Sequence, residues 1–398
     1  MKVLMVNSVC GVGSTGRICT DLCDVLTKNG NEVKIAYGRG EAPLNYKNNS
    51  YKIGSDFLVK INAIKSRIFD NEGFNAKRAT KRFLKWADSY NPDVLHLHNL
   101  HGYYLNVELL FKWIKSRPQM KVFWTLHDCW AFTGHCAYFD YANCKKWENY
   151  CYRCVQKNTY PKSIFKDNSK RNYKKKKQIF TGVRNLEIIT PSNWLKEKVE
   201  KSFLNEYKVS VVNNGIDLSV FKHSVSNIKE KLNCIGKQII LGVANIWEER
   251  KGLNDFIKIS NLLPKEYQIV LIGLNDNQIK SLPKNILGIK RTNNVKELVE
   301  IYSSSYLLFN PTYEDNYPTV NLEAQACGIP VITYKTGGSV ESVPNSNVLN
   351  KGDYKGLIAK LGEDLQVLEI KQGKEEFCNE YLEKYGKWER GNYENRSY

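Results

Sequence analysis

Short apolar runs alternate with longer amphipathic stretches along the whole chain. The runs predict strands near residues 2–6, 33–37, 94–98, 121–125, 187–190 and 209–213, and again near 238–243, 268–273, 306–309 and 330–333. Strands that alternate with helices imply parallel sheets. The pattern pauses between the two sets in NNGIDLSVFKHSVSNIKEKLNCIGK, which is turn-rich and then charged, as a linker would be. The reading is α/β, with two doubly wound Rossmann-like domains facing a cleft: 1–224, 236–375, and a helical tail over 376–398. Ligands of open parallel sheets meet the carboxyl ends of strands, so the residues just after each strand are the candidates for chemistry.

Composition narrows the class. In 398 residues, 42% are hydrophobic and the mean hydropathy is −0.47. No apolar run approaches the roughly 18 residues that a membrane span needs. The opening MKVLMVN reaches Asn7 too soon for a secretory signal core. A spanning or ordinary secreted protein is therefore not expected. The formal charge of +18 is uneven: residues 1–224 hold 37 Lys+Arg against 19 Asp+Glu, and the remainder holds 22 of each. A basic first half implies an anionic partner, with nucleic acid, a phospholipid surface and a phosphorylated substrate as the classes.

Several motifs follow strand ends. Gly11, Gly13 and Gly16 form G-x-G-x-x-G, but four residues separate the first strand from the first glycine, and the second strand ends in Tyr37-Gly38-Arg39-Gly40 without an acid. That argues against a nicotinamide dinucleotide. A glycine loop opening a helix still offers N–H groups to a phosphate or sugar. Five of six histidines lie at His96, His98, His101, His127 and His135, with His127-Asp128 just beyond a strand. No H-E-x-x-H or H-x-H-x-D run accompanies them. Within a cysteine-rich insertion over 129–160, Cys136, Cys144, Cys151 and Cys154 include one C-x2-C. This fits either a structural tetrahedral zinc site or free thiols. Arg250 and Lys251 open a helix after the strand at 238–243, where cations can hold a diphosphate.

The most specific run is NPTYEDNYPTVNLEAQACGIPVITYKTGG. Asp315 and Glu323 stand as D-x7-E. Pro318 suits the first turn of a helix, so one carboxylate meets a ligand at the helix mouth and the other reaches it from the flank. The helix N-terminus favours an anion at the same place.

On these residues the chain resembles the family 4 glycosyltransferases, retaining enzymes of the GT-B fold, whose signature is E-x7-E, then A-x-A/S-x-G-x-P-V and a Gly-Gly turn before Glu. The corresponding residues are Asp315 to Glu323, Ala324 to Val331, and Gly337-Gly338 with Glu341. Asn214-Gly215-Ile216-Asp217 looks like the family's N-G-x-D turn. HLHNLHGYYLN and TLHDCWAFTGHCAYFDYANC look like the branch that builds bacterial capsular, colanic-acid-like and O-antigen polysaccharides.

The resemblance implies roles. Glu323 would hold the donor ribose. Asp315 would contact the donor sugar, with a side chain one methylene shorter than the family's glutamate and Glu314 adjacent as the other candidate. His127 would stand beside the reacting sugar. Gly13, Gly16, Arg250, Lys251, Asn316, Tyr317 and Thr319 complete the implied donor site, and His98, Asn99 and Asp128 the acceptor site. The family's Arg and Lys are usually five apart; Asn245 stands near the usual Arg, so Arg250 would serve beside Lys251. The implied reaction moves a sugar from a UDP- or GDP-sugar to a polyprenyl-diphosphate-linked glycan, with no catalytic metal and the leaving phosphate helping to accept the proton. The tail would return to the first domain. The enzyme would be cytoplasmic and dock on the anionic inner face of the membrane through two basic, apolar-interleaved stretches, 52–86 and 162–177. The rival classes are a nicotinamide oxidoreductase, which leaves D-x7-E unexplained, and a nucleic-acid-binding protein, which needs aromatic-interleaved basic modules; nucleic acid is not an expected partner.

Overall fold

The computed structural model describes residues 1–386; the remainder of the expected tail, 387–398, lies outside the described residues. The described residues divide into two compact units, Met1–Val212 with Glu375–Gly386, and Asn213–Lys374. The first boundary falls before the expected residue 224, because the N-G-x-D turn packs with the second unit: the Asn214 amide donates to the Tyr317 carbonyl (3.1 Å).

The first unit carries a seven-stranded parallel sheet. Its strands are β1 (Lys2–Asn7), β2 (Glu32–Tyr37), β3 (Ser50–Lys52), β4 (Val94–Leu97), β5 (Lys121–Thr125), β6 (Leu186–Thr190) and β7 (Val209–Val211), in the order β3-β2-β1-β4-β5-β6-β7. The second unit carries a six-stranded parallel sheet of β8 (Gln238–Val243), β9 (Tyr267–Ile272), β10 (Ile286–Ile289), β11 (Leu307–Asn310), β12 (Val331–Tyr334) and β13 (Val348–Leu349), in the order β10-β9-β8-β11-β12-β13. All the expected strands are present. β3, β10 and β13 were not anticipated, because they are short edge strands and the sequence of β3 is polar.

Both orders double back at the first strand of the set, leaving a switch point where loops splay apart. Each sheet is buried on both faces. β4 illustrates this, with Leu95 and Leu97 in one apolar cluster and Val94 in the other. Such strands read as continuous apolar runs rather than alternating ones.

The helix Lys374–Gly386 completes the first unit. Phe377, Cys378, Tyr381 and Tyr385 enter the cluster formed by β1, β2 and the helix Gly13–Lys28. The Tyr385 carbonyl also accepts from the Lys121 ammonium (2.6 Å). The expected return of the tail is thus a packing fact, driven by apolar area that would otherwise face water. Phe377 is only 2% exposed, and Phe377→Ala should cost about 3–5 kcal/mol of stability, read as a lowered urea midpoint. An unchanged midpoint would mean that this helix is not part of the core.

Candidate active site

In the second unit three loops at the carboxyl end of the sheet close around Asp315. The loop after β8 ends in a short 3-10 turn, Glu249–Lys251. Lys251 forms an ion pair with the Asp315 carboxylate, whose other oxygen accepts from the Asn316 backbone N–H (2.9 Å). Burial alone would raise the Asp315 pKa, but Lys251 and Arg250 outweigh it and hold the carboxyl below its usual range. Arg250 donates to the Glu314 carbonyl (3.0 Å) and pairs with Glu248 (2.9 Å). It therefore shapes the loop as well as charging it. The loop after β12 supplies the third wall. The Gly338 N–H donates to the Asp315 carbonyl (3.1 Å). At Gly337, φ is +53° and a Cβ would stand 2.1 Å from that same oxygen, so this turn requires glycine.

The helix Thr319–Ala326 starts immediately after this loop, with Pro318 at its N-cap in extended conformation and no side chain capping it. Its first N–H groups are therefore left for another acceptor. Thr319 is its first residue, and Glu323 lies one turn further along. Glu323 is buried and accepts from the Tyr302 hydroxyl (3.1 Å). Tyr302 was not anticipated; it lies on the preceding helix, Val295–Ser304, and no local motif marks it. Beneath these groups, Asn321 accepts from Asn310 (2.8 Å) and donates to Ser342 (2.9 Å), which fixes the helix against β11 and the Gly-Gly turn. Lys251 pairs with Asp315, and the neighbouring Glu314 is buried as well.

The first unit brings His96, His98 and His127 together at the carboxyl end of its sheet. His98 Nδ1 and His127 Nε2 are 3.1 Å apart. The His96 and His98 rings are 4.0 Å apart. Below them, His96 Nδ1 meets the Tyr385 hydroxyl (2.6 Å), and its Nε2 meets Thr125 (2.8 Å), which contacts Tyr381 (3.1 Å). Burial drives all three pKa values down, His96 to about 3 and His127 to about 4, the latter against an opposing pull from Asp128. The histidines are neutral at physiological pH, so one of the His98–His127 pair donates and the other accepts. The Asp128 oxygens take His101 Nε2 (2.7 Å) and the Trp130 N–H (2.9 Å). The Asn99 N–H is held by Asn7 (3.3 Å). Gly13 begins the first helix at φ +66°, and Gly16 packs against Gly11, whose N–H donates to the Gly16 carbonyl (3.0 Å). That helix start has no side-chain cap and no acid in its first turn, as an anion-facing terminus needs.

Two parallel-sheet units, one with cations and paired carboxylates at a helix mouth, define the GT-B class of glycosyltransferase. The comparisons agree. The profile described as Glycosyltransferase Family 4 matches residues 15–220, and that described as Glycosyl transferases group 1 matches 237–366. The chain belongs to Glycosyltransferase Family 4. It is 24% identical over 361 residues to the colanic acid biosynthesis glycosyl transferase WcaC of Escherichia coli K12, covering 87% of this chain and 86% of that protein. It is 27% identical over 173 residues to a Campylobacter jejuni N,N'-diacetylbacillosaminyl-diphospho-undecaprenol alpha-1,3-N-acetylgalactosaminyltransferase, covering 39% and 42%. The fold matches sucrose-phosphate synthase of Thermosynechococcus elongatus (TM-score 0.65, 14% identity, 97% and 98% coverage) and Anabaena HepE in complex with UDP (TM-score 0.58, 13% identity, 97% and 95% coverage).

Two outcomes follow from this geometry. Glu323→Gln keeps the volume and removes the charge, and should weaken donor binding roughly 10- to 100-fold, read by calorimetric titration of the nucleotide sugar; parental affinity would remove Glu323 from the site. Below pH 6.5, the ordinary value for histidine, the unfolded chain takes up a proton that folded His96 refuses. Stability should therefore fall as pH drops from 6.5 toward about 3, by about 1.4 kcal/mol per pH unit for this one group. His96→Asn should flatten the denaturation profile by that slope, and an unaltered slope would place the acid sensitivity elsewhere.

Proposed function

We propose that the enzyme transfers a sugar, with retention of anomeric configuration, from a nucleotide diphosphate sugar to a polyprenyl-diphosphate-linked glycan during synthesis of a bacterial surface polysaccharide. The observation that carries the donor half is the Lys251–Asp315 pair beside the open N-terminus of the helix holding Glu323. Fixed cations and N–H groups are aimed where negative charge grows as the diphosphate leaves, which is the electrostatic part of such catalysis. Lys251 shares its charge between Asp315 and the incoming diphosphate, Asp315 takes the sugar hydroxyls, and Glu323 takes the ribose. The leaving phosphate oxygen accepts the proton of the attacking hydroxyl. In the first unit, His127 is neutral and hydrogen-bonded to His98, so it orients a sugar hydroxyl without adding charge. The Campylobacter relative, whose name specifies a diphospho-undecaprenol acceptor, supports the same acceptor class here.

A lipid-linked acceptor requires a way onto a membrane, and no helix among the described residues is long and apolar enough to cross one. The surface supports docking at a narrower place than the sequence suggests. On the helix Lys77–Tyr90, Phe83 and Leu84 are buried, so that face is spent on the core. Within Lys174–Lys177, Lys176 is also buried, donating to the Trp130 carbonyl (2.7 Å). On the helix Asp56–Phe69, by contrast, Phe57 is 70% and Ile64 55% exposed, and Phe165 nearby is 71% exposed. The segment carrying Phe165 is tied to that helix by the Ile164 N–H on the Arg67 carbonyl (2.7 Å). Lys60, Lys65 and Arg67 are exposed on the same helix, and Lys166 is next to Phe165 in sequence, with its ammonium 5.3 Å from the Phe69 ring centroid. Apolar side chains ringed by cations suit an anionic lipid interface, each cation adding about 1 kcal/mol near the leaflet.

The test is transfer from UDP- or GDP-sugars to a polyprenyl-diphosphate saccharide, with the product anomer read by NMR. Retained configuration supports the reading and inversion overturns it. Co-sedimentation with anionic vesicles should be lost at high salt and in the Phe57→Ser/Phe165→Ser double variant. Equal pelleting with neutral vesicles would refute charge-assisted docking.

A further inference from the structure

Among the described residues no three His, Cys, Asp or Glu side chains are grouped to hold a metal, so the zinc set that spacing suggests at Cys136, Cys144, Cys151 and Cys154 is not assembled. A different feature of the first unit does point to a ligand. β2 ends in Gly38-Arg39-Gly40, where a nicotinamide-binding fold carries an acid. We infer that Arg39 binds a phosphate group of the lipid-diphosphate acceptor. The inference rests on the acceptor class proposed above and adds the residue that recognises its charge.

The loops after three adjacent strands build the place. β2, β1 and β4 lie side by side, and the loops that follow them carry Arg39, Ser8 and Gly102. The Ser8 carbonyl accepts from the N–H groups of Arg39 (2.9 Å) and Gly38 (3.3 Å), which fixes the backbone. The Arg39 side chain rests on Gly102. There φ is +115°, and a Cβ would stand 3.4 Å from both Nε and Cζ of Arg39. Glycine is the residue that suits this conformation and leaves the guanidinium its floor.

The neighbouring acids are already matched. Glu72 accepts from the Gly102 and Tyr103 N–H groups (2.7 and 2.8 Å) and from the Ser66 hydroxyl (3.2 Å). Glu41 and Asp56 pair with Lys52 (2.6 and 2.7 Å), and Asp128 holds His101 (2.7 Å). Among the described residues the Arg39 guanidinium forms no ion pair, and its Nε is buried without a hydrogen-bond partner. A buried donor with nothing to bond costs stability until an acceptor reaches it. A guanidinium fork is matched to phosphate oxygens, and Arg39 as a whole is only partly buried, so it keeps a face in solvent.

His98 supplies an independent observation. It is 1% exposed, and its Nε2 also lacks a partner. It opens the loop that continues to Gly102. Unsatisfied polar atoms thus lie on both sides of β1, at the sheet end where parallel folds bind ligands.

The same loops are tied to the helix Asp56–Phe69, which carries Phe57 and Ile64. Gly40 donates to Asp56 (2.9 Å), and Asn62 donates to the Tyr103 carbonyl (3.0 Å). In a lipid-linked acceptor the diphosphate stands between lipid and sugar. With the lipid at that helix and the sugar at His127, Arg39 sits on the loops that join the two.

The test reads Arg39 directly in the full-length wild-type chain. Phenylglyoxal modifies reachable arginines, and peptide mass spectrometry separates Arg39 from Arg250. At constant ionic strength, farnesyl diphosphate should slow modification of Arg39, and farnesol should not. Equal modification with and without farnesyl diphosphate would overturn the site, as would an Arg39 that resists the reagent without any ligand. Protection by glucuronate but not by farnesyl diphosphate would assign Arg39 to a sugar carboxylate and overturn the phosphate. In transfer assays, Arg39→Gln should raise KM for a polyprenyl-diphosphate saccharide roughly 10- to 100-fold more than KM for the octyl glycoside of the same saccharide. Arg39→Lys should recover part of that difference. An equal rise for both acceptors would make Arg39 a structural residue and refute the inference. Wild-type protein that transfers to no diphosphate-linked acceptor would overturn the acceptor class proposed above; protection by farnesyl diphosphate would then still uphold the phosphate site, and its absence would overturn that too. Protection of the wild type decides the matter even where a variant fails to fold.

Discussion

The ion pair between Lys251 and Asp315 is the constraint around which the second unit's loops are arranged. A buried carboxylate is costly unless opposite charge and N–H donors reach it. Here Lys251 comes from the loop after β8, Asp315 from the loop after β11, and the Gly-Gly turn after β12 grips the Asp315 backbone. Three chain segments far apart in sequence must therefore be in register before the carboxylate is tolerated. The helix that follows Asp315 begins at Thr319 without a side-chain cap and carries Glu323 on its second turn. The arrangement that lets Asp315 be buried also leaves the Lys251 and Arg250 cations beside the uncapped helix end.

The first unit solves a similar problem without charge. His96, His98 and His127 are buried and neutral, and their hydrogen bonds to neighbours set which nitrogen carries the proton. Tyr381 and Tyr385 arrive from a helix that follows the whole second unit in sequence, yet Tyr385 holds His96 and Tyr381 holds the Thr125 beneath it. His96 in turn stacks under His98, which bonds His127. The terminal helix is thus the floor of a histidine chain as well as a filler of apolar volume. A truncation there disturbs the orientation of a residue at the far end of that chain.

Excess charge in this chain has several fates, and burial decides among them. Lys251 neutralises a carboxylate, and Lys176 is buried over the Trp130 ring (3.5 Å to its centroid) with burial pushing its pKa down to about 7. Lys60, Lys65 and Arg67 remain in water beside exposed apolar side chains. Counting cations along the sequence treats these alike, whereas only the last group is available to an anionic surface.

The sequence by itself determined the parallel sheets, every central strand, and which residues stand just beyond the strand ends. It could do so because strands buried on both faces must be apolar throughout and because helix mouths, glycine turns and paired carboxylates are local features with fixed spacing. The edge strands β3, β10 and β13 escaped it, since short strands with little buried area leave little imprint on composition. Tertiary structure alone decided that Tyr302 serves Glu323, that Asp128 holds His101, and that Tyr385 supports His96. Each is a hydrogen bond between residues distant in the chain, and no local pattern encodes which distant hydroxyl or imidazole will fill a buried vacancy. The same holds for the basic stretches, where periodicity marks an amphipathic helix and packing alone settles which face the core takes.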